Sequence, residues 1–429
     1  MDCQLVTANS IKDNVRIAIL AFDFPYPPNR GGRADIWRRL LTLRALGHRV
    51  MLVAWSIPGH EPTAQAIATV KEQVDHLFLF PARHGAIDAL MRLVLLTRWP
   101  SYASARRLSD QQNLELNTAL RDFSPTLIWC EGPYPGAAAE TLSHRTGVPL
   151  VYRSHNIEHQ YMRKQASAAR HWRDRFAWRM ACVGLERFEQ RLMAQAAWVF
   201  DISYDDMAYW RLRGHGHSSW LPPVAESALV QQGRDVPVAE SARNDVVFLG
   251  NLTTPNNVRG VEWLVQEIRP LVLARRPGTR FLVAGSNPGP HVQQLCTAHG
   301  VELLANVADA LALLRSARVL VNPVRTGSGT HVKAIEMLMM RAPIVTASQG
   351  TMGLPPEVKH LFRIADSTEA FADQVLDALA APQDEWVARA AARRLFGLQG
   401  VADAMAHLQA QVLPSRRADA APATAANAP

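Results

Sequence analysis

The sequence predicts a two-domain α/β protein built on parallel, doubly wound sheets. Two observations carry this. The run VRIAILAF (15–22), a Pro/Gly loop, DIWRRLLTLRALG (35–47) and HRVMLVAW (48–55) reads strand, loop, helix, strand. The same order restarts at VVFLG (246–250), followed by VRGVEWLVQEIRPLVLA and RFLVAG (280–285). Between them lies HSSWLPPVAESALVQQGRDVPVAESARND, which has three prolines and no sustained period, as a linker would.

The elements follow in order. The first loop carries Pro25, Pro27, Pro28, Gly31 and Gly32, and the first helix stops at Gly47. Further strands are expected at 76–80, 127–130, 149–153 and 197–203, with amphipathic helix over roughly 167–195. In the second half HVQQLCTAHG, VADALALLRSA and HVKAIEMLMM read as helices between VELL, RVLVNPV and APIVTAS. Residues 368–380 and 384–394 read as helical. The expected division is 15–215 for the first domain, 216–243 for the linker and 244–395 for the second domain. A terminal helical segment, 396–412, and a disordered Pro/Ala/Arg tail, 413–429, complete it. Ligands of such sheets sit beyond the carboxyl ends of the strands, here in a cleft between the two domains.

At 429 residues, 48% hydrophobic and 20% charged, the chain has the composition of a globular protein with a large core. Its net charge is +8 and favours anionic partners. Cys3, Cys130, Cys182 and Cys296 are widely spaced and form no metal knuckle or disulfide framework. The N-terminus lacks the apolar run of a secretory signal, and 90–96 is too short to span a bilayer. The chain therefore reads as cytoplasmic, with peripheral attachment to the cytoplasmic face of the inner membrane left open.

The stretch RTGSGTHVKAIEML, Arg325–Leu338, follows the strand RVLVNPV. Gly327 and Gly329 permit close backbone approach, and the amides at the start of the next helix can receive an anion. Lys333 and Glu336 stand one turn apart on that helix, a cation suited to a diphosphate and a carboxylate suited to ribose hydroxyls. Read alone, the window is equally compatible with a tight turn and a surface ion pair.

NVRGVEWL, RFLVAG, RVLVNPVRTGSGTHVKAIEMLMMRAPIVTASQGTMGL and IADSTEAFADQVLDAL occur in the order typical of retaining glycosyltransferases. Together with PYPPNRGGRADIWRRLLTLRALGHRV and RSHNIEHQYM, they make the chain resemble the GT-B superfamily of family 4, glycosyl transferases group 1, over roughly 15–385. The resemblance implies two Rossmann-like domains and transfer of a sugar, a hexose by expectation, from a nucleotide-sugar donor. The transfer would retain configuration, and no cofactor or obligatory metal would be needed. It implies donor-binding roles for Gly31, Gly32, Arg259, Gly327, Ser328, Gly329, Thr330, Lys333 and Glu336. It sets His155 near the transferred sugar and Lys333 near the departing phosphates. Glu131, after the strand LIWC, either faces the acceptor or caps a local turn. Two departures stand out: Ser328 replaces the earlier glutamate of the family's pair, and His331 stands where many relatives carry arginine. The family's basic pair near the first strand of the second domain is also altered, with Asn251 at one position and Arg259 as the stand-in for the other.

The partners implied are a nucleotide-sugar and a glycan or lipid-linked glycan acceptor, with no specific nucleic acid. The cluster HWRDRFAWR (171–179), with the apolar 90–96 segment, suits an anionic membrane surface or ordinary packing. A nucleotide-sugar epimerase and a non-catalytic nucleotide-sugar-binding protein are the alternative functions. A nicotinamide fingerprint, a GxxxxGK[ST] phosphate loop and a supported carboxylate pair for glycoside hydrolysis are not found.

Overall fold

A computed structural model describes residues 14–169, 171–226, 244–327, 330–380 and 385–413. Ser328 and Gly329, most of the expected linker (227–243) and residues 414–429 of the expected tail lie outside the described residues.

The chain divides into two compact units, one of residues 1–202, 206–221 and 399–429 and one of 203–205 and 222–398. The first holds a seven-stranded sheet, all parallel. Its strands are β1 Arg16–Ala21, β2 Arg49–Ser56, β3 His76–Pro81, β4 Leu127–Glu131, β5 Leu150–Ser154, β6 Trp198–Asp201 and β7 Ser218–Trp220. Their order is β3-β2-β1-β4-β5-β6-β7. The order reverses at β1, between β2 and β4, which is the switch point of a doubly wound sheet. Strands covered on both faces read as continuous apolar runs, and RIAILA and RVMLVAWS do. The sheet continues past residue 215, because β7 pairs with β6 through Val199–Ser218. Helix Leu398–Val412 groups with this unit, and His407 packs edge-on against Trp198 at 5.0 Å.

The span 167–195, expected as one helix, is broken. Helices Glu158–Ala168, Trp172–Cys182 and Leu185–Gln195 occupy it. Gly184, at φ +74°, makes the second break, in a conformation that only glycine adopts without strain.

The second unit holds a six-stranded parallel sheet of β8 Asn244–Asn251, β9 Phe281–Ser286, β10 Glu302–Ala305, β11 Ala317–Asn322, β12 Ile344–Thr346 and β13 Arg363–Ile364. The order is β10-β9-β8-β11-β12-β13. β8 and β9 run so close at their carboxyl ends that a Cβ on Gly285 would stand 1.8 Å from the Gly250 carbonyl oxygen. Glycine is therefore required at 285. Val246, Phe248, Val283, Val319, Val321 and Val345 meet Trp263, Ile268 and Phe371 in the core of this unit. Both sheets are Rossmann-like, and two such units constitute the GT-B fold.

Candidate active site

In the first unit the carboxyl ends of β4 and β5 meet helix Gly31–Ala45, through Glu131 to Arg39 and Arg153 to Asp35. Gly31 has open space where a side chain would lie. At Gly32 a Cβ would come 2.8 Å from the Phe22 ring. That ring packs edge-on against His155 at 5.7 Å and Tyr134 at 5.9 Å. Gly32 and His155, far apart in sequence, thus meet the same phenyl ring.

Beneath them lies a buried charge network that sequence reasoning missed. Asp35 and Arg39, one turn apart on that helix, are ion-paired. Arg153 reaches Asp35 at 3.3 Å, Arg39 lies 3.5 Å from Glu131, and His155 Nε2 is 2.7 Å from Glu131 Oε2. His155 Nδ1 is 3.8 Å from Asp35. Burial pushes the Asp35 and Glu131 carboxyls up, but Arg39 acting on both, Arg153 on Asp35 and His155 on both outweigh it. Both end below the usual carboxylate range. Burial brings the Arg153 guanidinium down to about 10. Asp35, Glu131 and His155 place potential ligand atoms within 4.8 Å of one another. Two guanidinium groups already balance the two carboxylates there, so the charge closes without an added cation. A signal for the network was present in the sequence: the i,i+4 pair Asp35/Arg39 sits directly behind the Gly-Gly loop, and Arg153 lies two residues before His155.

Glu131 is 1% exposed and its oxygens are engaged by Arg39 and His155. The carboxylate thus joins the Asp35/Arg39 pair of the helix to the His155 ring.

In the second unit Lys333 and Glu336 lie on helix Val332–Leu338, beyond the end of β11. They line one cavity of about 260 Å³ with Glu226, Leu249, Ala308, Asp309, Leu314 and Met337 among its walls. Lys333 Nζ donates to Asn257 Oδ1 at 2.8 Å and lies 4.7 Å from the Phe248 ring centre. Burial brings its ammonium group down to about 7. The same cause, with Lys333 nearby, brings the His331 imidazole down to about 4. Glu336 accepts a hydrogen bond from the Glu226 backbone N–H at 2.6 Å. Arg259 donates to Asn256 Oδ1 at 2.5 Å and Thr326 Oγ1 at 3.2 Å, which ties helix Pro255–Trp263 to the loop after β11. Arg325 stacks 4.2 Å from the Trp263 ring centre. A Cβ on Gly327 would stand 3.2 Å from His331 Nε2, and one on Gly353 would stand 2.4 Å from Thr330 Oγ1.

The expected donor-side residues that are described therefore gather in two places. Gly32 shares the Phe22 ring with His155 and follows Gly31 at the start of its helix, while Gly327 and Thr330 belong to the loop between Arg259 and the helix of Lys333 and Glu336. Asn257 and Phe248, which hold Lys333, were not anticipated. Their signal is faint, since neither residue type is diagnostic of an anion site.

These geometries define a GT-B protein with a charged cluster in its first unit and a basic, carboxylate-bearing pocket in its second. Residues 243–381 match the family described as glycosyl transferases group 1. The chain is 22% identical over 378 residues to an uncharacterized 44.6 kDa protein in the cps region of Klebsiella pneumoniae, covering 84% of this chain and 90% of that protein. Its fold is similar to a sucrose-phosphate synthase from Thermosynechococcus elongatus, with TM-score 0.58, 17% identity and coverage of 94% of this chain and 100% of that one. It is also similar to Anabaena Alr3699/HepE in complex with UDP and glucose, with TM-score 0.59, 13% identity and coverage of 92% and 100%. Among the described residues no helix is long and apolar enough to cross a membrane.

Proposed function

We propose that the protein transfers a hexose from a nucleotide-sugar donor to a glycan or lipid-linked glycan acceptor, with retention at the anomeric carbon. The observation that carries this reading is the pairing of Lys333 and Glu336 on one cavity wall inside the segment that matches glycosyl transferases group 1. Glu336 holds the nucleotide ribose. Lys333 and Arg259 face the diphosphate. The loop Gly327–Thr330, whose Ser328 and Gly329 lie outside the described residues, lends backbone amides.

In the reaction the bond from the anomeric carbon to the diphosphate oxygen breaks as the acceptor oxygen bonds that carbon. The products are the new glycoside, the nucleoside diphosphate and a proton. Charge grows on the phosphate oxygens in the transition state. A cation fixed beside them stabilises that state more than the ground state. His155 contacts the transferred sugar, with Glu131 and Asp35 holding its ring and Arg39 and Arg153 holding the two carboxylates. The relative in a cps region supports polysaccharide biosynthesis as the setting, and the UDP complex of the Anabaena protein makes UDP-sugars the first donors to try.

The test is a donor panel of UDP-, GDP- and ADP-hexoses, with and without acceptor glycans. Product mass is read by mass spectrometry and anomeric configuration by NMR. Acceptor-dependent release of nucleoside diphosphate with a retained linkage is expected. Conversion of the donor sugar without acceptor would establish an epimerase instead, and binding without turnover a non-catalytic module.

A further inference from the structure

Helix Ala86–Leu95 is turned inside out. Ile87, Leu90, Met91 and Val94, spaced i, i+3, i+4 and i+7, form a single apolar stripe. That stripe faces outward: Ile87 is 82% exposed, Leu90 and Val94 64% each, and Leu93 beside them is also exposed. The charged face is the half-buried one. Asp88 receives Arg107 at 3.3 Å and lies 3.9 Å from Arg83, and Arg92 caps back onto the Asp88 carbonyl oxygen. A surface helix of a soluble domain has the reverse arrangement.

A second exposed element adjoins it. Helix Trp172–Cys182 leaves Trp172 72% and Phe176 59% exposed, one turn apart, and Val183 beyond its end is exposed too. Arg173, Arg175 and Arg179 surround these aromatics, with Arg173 5.6 Å from the Trp172 ring centre. Arg170 lies outside the described residues. The carboxyl ends of the two helices meet, since a Cβ on Gly184 would stand 3.3 Å from the Leu96 carbonyl oxygen. A cavity of about 490 Å³ is lined by Leu96, Thr97 and Arg98 from one side and Cys182 and Val183 from the other.

We propose that this surface docks on an anionic lipid bilayer, with the Ile87–Val94 stripe, Trp172 and Phe176 entering the headgroup–acyl boundary and Arg98, Arg173, Arg175 and Arg179 binding lipid phosphates. Charge decides the occupant. The aromatic helix carries one acid, Asp174, against its three arginines. In a symmetric pair of copies the same basic patch would confront itself and repel, whereas anionic headgroups neutralise it. The proposal stands apart from the transfer reaction, because vesicle binding is read with neither donor nor acceptor present.

The experiment is co-sedimentation of the full chain with vesicles of phosphatidylcholine alone and of phosphatidylcholine with phosphatidylglycerol. Strong recovery with the anionic vesicles only, reversed by salt, is expected. Replacing Arg173, Arg175 and Arg179 with Gln should weaken binding by roughly fivefold per arginine removed. The double variant Leu90→Asp/Val94→Asp should abolish it, with thermal melting followed to confirm folding. The emission that Trp172→Phe removes should shift to the blue when anionic vesicles are added to the parent. Negligible recovery with both vesicle types at low salt would overturn the proposal. So would a vesicle-free dimer in sedimentation velocity that Leu90→Asp/Val94→Asp dissolves, since the stripe would then be a protein interface.

Discussion

Lys333 should take up a proton when a nucleoside diphosphate binds at mildly alkaline pH. In the free protein burial holds its ammonium group down to about 7, with the Asn257 amide oxygen at 2.8 Å as its hydrogen-bond acceptor. At pH 8 roughly one-tenth of the molecules then carry the charge. A diphosphate in contact would restore the ordinary value near 10.4, and the side chain would be almost fully charged. The difference is an uptake of about 0.9 proton at pH 8 and about 0.1 at pH 6. The nucleotide does not obscure this at pH 8, because its terminal phosphate, with a second pKa of about 6, is already ionised. His331, held down to about 4, is neutral in the free protein at both pH values. Titration calorimetry with UDP in two buffers of different ionisation enthalpy gives the proton count as a slope, with GDP and ADP run in parallel. Affinity should also fall roughly tenfold per pH unit above 7 until the bound-state pKa is reached. Lys333→Met should remove both effects. A slope near zero at pH 8 for a nucleotide that binds, or a slope that survives Lys333→Met, would refute the placement of this lysine on the phosphates.

Glu336→Gln should weaken UDP binding by about 1.5–3 kcal/mol, the range of a hydrogen bond to a charged group, with the fold intact by circular dichroism. An unchanged dissociation constant removes Glu336 from the ribose role. Arg39→Met strips the partner from Asp35 and Glu131 in a buried cluster and should cost about 3–5 kcal/mol in urea unfolding. A loss below about 1 kcal/mol would show that the carboxylates find other compensation. Asp201 is fully buried and burial, opposed by Ser154, pushes its carboxyl up to about 7. A raised acid keeps its proton in the folded chain while the unfolded chain loses it, so stability falls as pH rises from about 4 to 7. Asp201→Asn should therefore stabilise the protein by a few kcal/mol, on the order of the shift, at pH 8 and by little at pH 4, read from chemical denaturation at both.

The parallel sheets were legible because a strand covered on both faces must be apolar along its whole length. RIAILA and FLVAGS satisfy that within a few residues of their observed bounds. The edges were less legible. β7 is three residues long, SSW, and carries no period, so its pairing with β6 is visible only in space. Helix Leu398–Val412 has an ordinary amphipathic pattern, and nothing local says that it groups with the first unit rather than with the second unit that precedes it in the chain. The broken span 167–195 was misread for a different reason. Its helical period survives across Gly184 although the backbone turns there.

The two parts of the site were unequally readable on physical grounds. Lys333 and Glu336 share one turn of one helix, so their spacing alone places them together, and they do line one cavity. The network around His155 draws on three separate stretches, with Asp35 and Arg39 in a helix, Glu131 ending β4 and Arg153 within β5. Only the parallel register that sets Glu131 beside Arg153 brings the last two into range. Each charge, taken singly, reads as a residue that ought to be solvated, and burial is affordable for each only because the others are present. The same dependence explains why Glu131 cannot be judged from its own position. Its carboxylate is already shared between Arg39 and His155, so its surroundings are set by residues from a helix and from the loop after β5 that its own sequence neighbourhood does not name.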